Sequence, residues 1–222
     1  WLDIYQGKQR FQVIEKDSRT IKHGFFVFES GLLASGGSDR IQKLELKGNY
    51  REGLPQGQWE SSRMETSLEL RSVKGEANLQ LDYSLAGLER IGRFNFKAGV
   101  PHGDWRIEVN RIEGNKKSPT GSSSRFQFEE GTAIGAFSFR SYTMPVVLRG
   151  TLDAKGFLDG ELFLEYEAES KITVQEIRRY AGGFLLAISK TRKGETAPYL
   201  VLEFEDVKQK LQAIQDGSSE GR

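Results

Sequence analysis

The chain has 222 residues, with 32 Lys and Arg against 31 Asp and Glu, so its formal net charge is +1. This balance excludes the strong basic bias that is typical of nucleic-acid binders. The sequence contains no Cys, which excludes a disulfide framework and a thiol nucleophile. It also lacks any run of the roughly 18 apolar residues that a membrane-spanning helix needs.

Two segments of the chain are nearly the same and define an internal repeat. Asn49–Trp59 reads NYREGLPQGQW, and Asn95–Trp105 reads NFKAGVPHGDW. Both contain an extended stretch with one aromatic residue, a Gly-x-Pro-x-Gly segment that we predict as the turn, and a returning strand that carries Trp. Each copy therefore predicts a β-hairpin. Because a lone hairpin is marginal in water, neighbouring hairpins are expected to pair.

The repeat continues in weaker copies along the chain. Its minimal signature is a Gly, one further residue and a large apolar residue, with a second Gly four residues upstream; His23–Phe26 lacks the upstream Gly. The downstream glycines are 33, 46, 32 and 25 residues apart, which predicts hairpins with insertions of different length. The residues that we expect to serve the repeat are Tyr50, Gly53, Gly57, Trp59, Phe96, Gly99, Gly103, Trp105, Gly131, Gly135, Phe137, Gly156, Gly160 and Leu162.

Two local predictions follow from the repeat geometry. Gly53, Gly99 and Gly131 are expected to adopt positive φ, because the chain must reverse at each of them. Trp59 and Trp105 are expected to occupy equivalent positions that are at least half-buried, packed against Tyr50 and Phe96 of their own hairpins.

The segments between the copies also carry strand signals. Apolar and polar residues alternate over Asn78–Leu85 and over Glu161–Glu169, which predicts antiparallel strands with one solvated face. Glu113–Ser124 is rich in Gly, Ser and Pro and is predicted as an exposed loop. Further strands are predicted near residues 67–73, 126–128, 136–139, 146–152, 173–180, 184–189 and 199–204.

The period changes at the end of the chain. Val207, Leu211 and Ile214 follow helical spacing, and the helix is expected to end near Asp216. We therefore predict an all-β fold, an elongated antiparallel β-meander of repeated hairpins over residues 1–204, with a short C-terminal α-helix and frayed tail over residues 205–222. Because the first residue is Trp1 and not Met, we expect an upstream piece to be missing; export and a cytoplasmic location both stay open.

The repeat copies resemble MORN (membrane occupation and recognition nexus) repeats, and most closely the bacterial variant of antitoxin-type repeat proteins. That unit reads roughly Gly-x-aromatic-x-x-Gly-x-x-His-Gly-x-Trp. Gly48–Trp59 fits it with Gln56 in place of His, and Phe94–Trp105 fits it with His102 in place. The resemblance covers about half of the chain and implies the hairpin meander, but it implies little about a substrate.

Few residues offer chemistry. His23 and His102 are the only histidines, and each precedes the downstream Gly of a copy, where Gln56 stands in the sister copy; this position favours a turn role over a ligand role. The alternating glutamates Glu161, Glu165, Glu167 and Glu169 are typical of a solvated strand face, although a pair of them could also serve a glycosidase-like site. The sequence indicates no catalytic residue, no metal site and no cofactor.

The pattern as a whole predicts a non-enzymatic scaffold that binds a protein partner whose identity the sequence does not indicate. One alternative is an enzyme with a shallow carboxylate hydrolase site, which a pair of acids with raised pKa in a cleft would favour. The other alternative is a module that binds a lipid surface, which a basic patch beside exposed aromatic residues would favour. No nucleic-acid partner is expected.

Overall fold

The computed structural model describes residues 7–33, 40–75, 80–168 and 171–215. Over these residues the chain is all-β with one short helix, which confirms the predicted fold class. The strands are β1 (Lys8–Lys16), β2 (Arg19–Leu33), β3 (Arg40–Arg51), β4 (Leu54–Lys74), β5 (Gln80–Lys97), β6 (Val100–Pro101), β7 (Gly103–Glu113), β8 (Lys116–Glu129), β9 (Thr132–Ser141), β10 (Val146–Leu152), β11 (Gly160–Glu167), β12 (Thr173–Ala181), β13 (Phe184–Arg192) and β14 (Leu200–Glu203), and the helix is α1 (Glu205–Gln215).

The strands form one sheet in which the order across the sheet follows the order along the chain, as a meander requires. Strand β6 lies beside this path and pairs with β5. By contacts, the chain divides into two compact units, Trp1–Ser123 and Ser124–Arg222. Each pair of consecutive strands is local in sequence, so the fold needs few long loop closures.

The reversals between strands are tighter than the sequence indicates. Strand β3 ends at Arg51 and β4 begins at Leu54, so the turn consists of Glu52 and Gly53 alone, with φ of 51° and 83°. Positive φ at both positions is the type I′ geometry that matches the twist of paired strands. The expectation of a turn through Gly57 was therefore wrong: Gly57 lies inside β4, where the register with β3 shifts.

The paired glycines of the repeat share one backbone conformation in all four copies. The upstream glycines Gly53, Gly99, Gly131 and Gly156 have φ of 83°, 86°, 90° and 85°, which confirms the prediction for the first three. The downstream glycines Gly57, Gly103, Gly135 and Gly160 have φ of 68°, 70°, 67° and 78°. Each copy therefore combines a turn glycine with a second glycine that follows it four residues later and also has positive φ. In the copy with Gly53 and Gly57, the second glycine lies at a β-bulge.

Successive hairpins are fastened together by a pair of hydrogen bonds that we call the turn clasp. In the first example, Gly53 N donates to Lys22 O (2.8 Å) and Glu52 N donates to His23 Nδ1 (3.4 Å). In the second, Gly99 N donates to Pro55 O (3.0 Å) and Ala98 N donates to Gln56 Oε1 (2.8 Å). In the third, Gly183 N donates to Leu158 O (2.8 Å) and Gly182 N donates to Asp159 Oδ1 (3.2 Å). In these three examples the residue before the downstream glycine supplies a side-chain acceptor to the next turn.

Aromatic side chains form the core of the first unit. Trp59 is 4% exposed and its indole lies 5.1 Å from the Tyr50 ring, 5.5 Å from Phe26 and 6.0 Å from Phe96, measured between centroids. Trp105 is half-buried and lies 5.3 Å from Phe96. The expected packing of each indole within its own hairpin is confirmed, and Trp59 in addition contacts both neighbouring hairpins.

The predicted loop over Glu113–Ser124 was wrong. The turn is confined to Gly114 and Asn115, and the chain then continues as strand β8 from Lys116. Half-buried and exposed residues alternate along β8 from Thr120 to Glu129, so hydroxyl side chains carry the strand period that apolar residues carry elsewhere. Thr120 Oγ1 donates to Val109 O (2.7 Å), which satisfies the side chain against β7.

The remaining strand predictions are confirmed in position, and so is the helix. Helix α1 begins after Phe204, whose carbonyl oxygen accepts hydrogen bonds from the backbone N of Val207 and of Lys208. Asn78, Leu79, Glu169, and Asp216 with the predicted tail after it lie outside the described residues.

Candidate functional site

Within the described residues the β4–β5 hairpin extends beyond both of its neighbours, and we call its outer part, Leu68–Lys74 with Gln80–Leu85, the arm. The pairing of β3 with β4 ends at Arg40 and Ser67, and the pairing of β7 with β5 ends at Glu113 and Ala86. Beyond these pairs β4 and β5 continue together from Leu68–Leu85 to Lys74–Gln80. The arm is therefore a two-stranded ribbon that grows out of a wider sheet.

One face of the arm is apolar and exposed. Leu68 pairs with Leu85 and Leu70 pairs with Tyr83, so these four side chains share a face. Val73 lies two pairs further out and is 54% exposed, while Leu70 is 51% and Tyr83 50% exposed. These large apolar groups form a contiguous ladder, which marks an interaction surface more specifically than isolated exposed residues do.

The opposite face of the arm is polar. Arg71 Nε donates to Ser84 Oγ (2.5 Å), and an Arg71 amino group lies 3.9 Å from Glu69 Oε2. At the base of the arm is a cleft of about 330 Å³ lined by residues of β3, β4 and β5, among them Ile41, Thr66 and Gly87. The arm and this cleft together present an amphipathic ribbon beside a concave surface.

The sequence predicted both strands of the arm but did not predict that they protrude. The available signal was the step of 46 residues between Gly57 and Gly103, the longest in the array, which indicates an insertion at this hairpin. Alternation alone cannot show where the neighbouring strands stop.

Glu89 is a buried carboxylate on β5 that sequence reasoning missed. It is 6% exposed, and its Oε1 accepts hydrogen bonds from Lys117 Nζ (2.8 Å) and Ser62 Oγ (3.3 Å), while Oε2 accepts one from Asn110 Nδ2 (3.5 Å). Burial raises the pKa of Glu89, but these donors outweigh burial and leave the pKa below its ordinary value. A cleft of about 340 Å³ beside it also contains Glu45, whose pKa is lowered chiefly by a hydrogen bond from Lys47.

Glu176 on β12 is the most deeply buried carboxylate of the second unit, at 2% exposure. Its Oε1 accepts a hydrogen bond from Arg178 Nε (2.5 Å), and its Oε2 accepts one from Tyr166 OH (3.0 Å) and lies 3.0 Å from Lys190 Nζ. Burial raises the pKa of Glu176, yet the bonds from Lys190, Arg178 and Tyr166 hold it below the ordinary value. The cluster fixes the register of β11, β12 and β13, since each strand supplies a member.

The predicted glutamate face of β11 is only partly solvated. Glu161 and Glu167 are exposed, but Glu165 is half-buried and accepts hydrogen bonds from Gln175 Nε2 (2.9 Å) and Lys193 Nζ (3.0 Å). These two bonds lower the pKa of Glu165. Among the described residues, every carboxyl group whose pKa departs from its ordinary value is shifted downward, which is opposite to what a general acid needs.

Basic residues of the first unit alternate with acids. Arg93 lies 3.6 Å from Glu60 Oε2 and 3.4 Å from Glu108 Oε2. Glu65 Oε1 is in turn shared by Arg63 (2.7 Å) and Arg90 (3.4 Å). This mixed-sign lattice lacks the single-signed character that an anionic lipid surface attracts.

The predicted turn position of the two histidines was wrong, since His23 lies inside strand β2 and His102 lies between β6 and β7. His23 is a member of the turn clasp. His102 N donates to Asn95 O (2.9 Å), and its Nδ1 is buried and has no hydrogen-bond partner among the residues that the structure describes. In the described part of the chain, no three His, Cys, Asp or Glu side chains gather in a way that could hold a metal ion.

The remaining predicted repeat residues lie in the second unit. Phe137 stacks on Phe126 at a centroid distance of 5.9 Å, and Leu162 is buried. Both approach Gly150, where a Cβ atom would lie 3.0 Å from Phe137 and 2.9 Å from Leu162. In the first unit Trp59 covers Gly48 in the same manner.

No helix within the described ranges is long and apolar enough to cross a membrane. No family model, curated protein or solved structure matches this chain.

Proposed function

We propose that this protein is a non-enzymatic β-repeat scaffold that docks a protein partner on the apolar face of the arm. The observation that carries the proposal is the ladder of Leu68, Leu70, Val73 and Tyr83, which are each at least 41% exposed on a hairpin that extends beyond its neighbours. Holding such a surface in water is unfavourable, and burial against a partner would release that cost. The fitting partner presents apolar side chains of its own.

The assignment as a scaffold is supported by the state of the buried acids. Glu89 and Glu176 are saturated by donors and stay ionised at neutral pH, so neither can give up a proton to a leaving group. Their donors are cationic, hydroxyl and amide side chains on the same strand or on strands one or two positions away in the sheet, which is the arrangement of a structural network.

The proposed relation to MORN repeats is supported by the recurrence of backbone geometry. Four copies share the same pair of positive-φ glycines, and the turn clasp recurs three times with His, Gln and Asp as alternative acceptors. The acceptor atom is what these three residues share, which explains how His, Gln and Asp can serve the same role.

The test compares capture of partners from host extract by three forms of the chain. The arm variant combines Leu70→Glu with Tyr83→Lys, which removes the apolar pair yet leaves an opposite-charge pair across the strands. The matched control combines Leu54→Glu with Val100→Lys, which also changes two exposed apolar residues, at 49% and 41% exposure, in the same unit.

The proposal predicts that the natural chain and the control retain one protein from the extract and that the arm variant does not. Calorimetry with the purified partner should give equal affinities for the natural chain and the control, and no binding by the arm variant. All three forms should melt at similar temperatures, because the changed residues are exposed. Equal retention by the arm variant would contradict docking on the arm, and turnover of any hydrolase substrate that depends on Glu89 or Glu176 would contradict the scaffold.

A further inference from the structure

Lys22 on β2 has an unusual environment for a lysine near the surface. Its Nζ lies 4.9 Å from the centroid of the Phe11 ring, 5.0 Å from that of Phe26 and 5.2 Å from that of Tyr50. Within the described residues Lys22 has no carboxylate partner, so the three rings are what holds its ammonium group. This arrangement of three rings around one cation is an aromatic cage.

The rings hold their positions through contacts that do not involve Lys22. Phe26 is 5% exposed and packs edge to face against Tyr50 at 5.4 Å, and Tyr50 packs in the same way against Trp59 at 5.1 Å. Phe11 is the direct cross-strand partner of Phe26 and is 41% exposed, so it forms the solvent side of the cage. Two walls are therefore fixed by the core, and the third leaves a path for entry.

We propose that Phe11, Phe26 and Tyr50 form a binding site for a quaternary ammonium group and that Lys22 occupies this site when no ligand is bound. The ring faces carry negative electrostatic potential, which attracts an organic monocation at the distances observed. A trimethylammonium group gains more from such a cage than a primary ammonium does, because it loses less hydration when it leaves water. Lys22 has a long flexible stem and can swing into solvent when a ligand enters.

The test uses choline chloride as probe and the full chain with Lys22→Ala. Removing Lys22 opens the cage, so the affinity for choline measured by calorimetry should rise about tenfold or more over the natural chain if Lys22 occupies the cage nine-tenths of the time. Adding Phe11→Ala to Lys22→Ala should abolish this binding. Lys97→Ala, which removes an exposed lysine elsewhere in the repeat, should leave the affinity for choline as in the natural chain.

A neutral control separates cation recognition from simple apolar binding. The alcohol 3,3-dimethylbutan-1-ol has the shape of choline without its charge and should not bind the opened cage. Phosphatidylcholine vesicles supply the same headgroup from a membrane: binding to vesicles as well as to choline extends the ligand source to a lipid, and binding to choline alone restricts it to free ions. If the Lys22→Ala chain melts like the natural chain and binds no choline, or binds the neutral alcohol equally well, the inference is overturned.

Discussion

At the scale of single residues, one tightly constrained contact in the first unit is the one between an indole and a glycine. A Cβ atom at Gly48 would overlap the Trp59 indole, so this position accepts only glycine while the Trp stays in place. The indole nitrogen of Trp59 is buried and has no hydrogen-bond partner in the described part of the chain, whereas Trp105 Nε1 donates to Asn95 O (2.9 Å). The two tryptophans of the repeat are therefore equivalent in sequence but not in energetics.

This difference predicts how substitutions at the two sites will behave. Trp59→Ala should lower the free energy of unfolding by about 3–5 kcal/mol because it empties a closed site, and Trp105→Ala should cost less because the indole is half-buried. When Phe replaces Trp, the loss of hydrogen bonding affects only the second site. Trp105→Phe loses a hydrogen bond, worth about 1 kcal/mol, and Trp59→Phe loses none. Urea denaturation of the four variants measures this, and an unchanged midpoint for Trp59→Ala would contradict the packing.

Glu176 predicts a dependence of stability on pH. Its pKa is lower in the folded chain than the value of 4.5 expected without the fold, so its contribution is present above that pH and is lost as the pH falls through the folded pKa. Glu176→Gln should cost about 3 kcal/mol at pH 7, because Arg178 and Lys190 lose their partner. Below about pH 4.5 the stability of the Glu176→Gln variant should fall less steeply with falling pH than that of the natural chain. Parallel slopes in an acid denaturation series would show that Glu176 carries no such linkage.

At the scale of elements, the two-residue turns explain why the repeat keeps its glycines. Gly53→Ala should destabilise by about 1–2 kcal/mol, because a Cβ at φ 83° is strained although no atom lies within 4 Å of it. Gly31→Ala is the matched control, since Gly31 is equally open but lies in strand β2 without positive φ. Thermal unfolding of both variants decides the matter, and equal melting temperatures would count against the turn geometry. Gly121, which lies in the segment that the sequence predicted as a loop, has φ of 79° and is unsuitable as a control.

The turn clasp makes a second prediction at this scale. Gln56→His should preserve stability, because an imidazole nitrogen fills the same role at His23. Gln56→Leu removes the acceptor of Ala98 N and should cost about 1 kcal/mol. It should also speed amide exchange at Ala98, a residue-specific signal that NMR can follow. Unchanged exchange in Gln56→Leu would mean that the clasp contributes nothing.

The sequence predicted the hairpin meander, the positions of most strands and the C-terminal helix, because alternation, glycine pairs and helical spacing are local signals. It misplaced the turn at Gly57 and the strand over Lys116–Ser124, because a bulge and a strand built on hydroxyl groups look like loops in composition. It could not find Glu89 or Glu176, since burial of a carboxylate depends on donors such as Lys117 and Lys190 that only the register brings near.

At the scale of the whole molecule, the histidines separate a scaffold from an enzyme. His23→Gln together with His102→Gln should leave both the fold and partner binding intact, because Gln56 already serves the clasp in a sister copy. An enzyme that used imidazole as acid or base would lose roughly 10²–10⁴-fold of its rate. Circular dichroism and the capture assay measure the first outcome, and a hydrolase substrate panel measures the second. Turnover that the double change abolishes would contradict the scaffold.

The measurement that tests docking on the arm most directly is hydrogen–deuterium exchange of the full chain with and without the captured partner. Among the described residues the two strands of the arm pair only with each other, so the amides of the arm should exchange fast in the free chain. Bound partner should slow exchange over residues 68–74 and 82–85 and leave β12 and β13 unchanged. Protection confined to β11–β13, with the arm unaffected, would contradict the account.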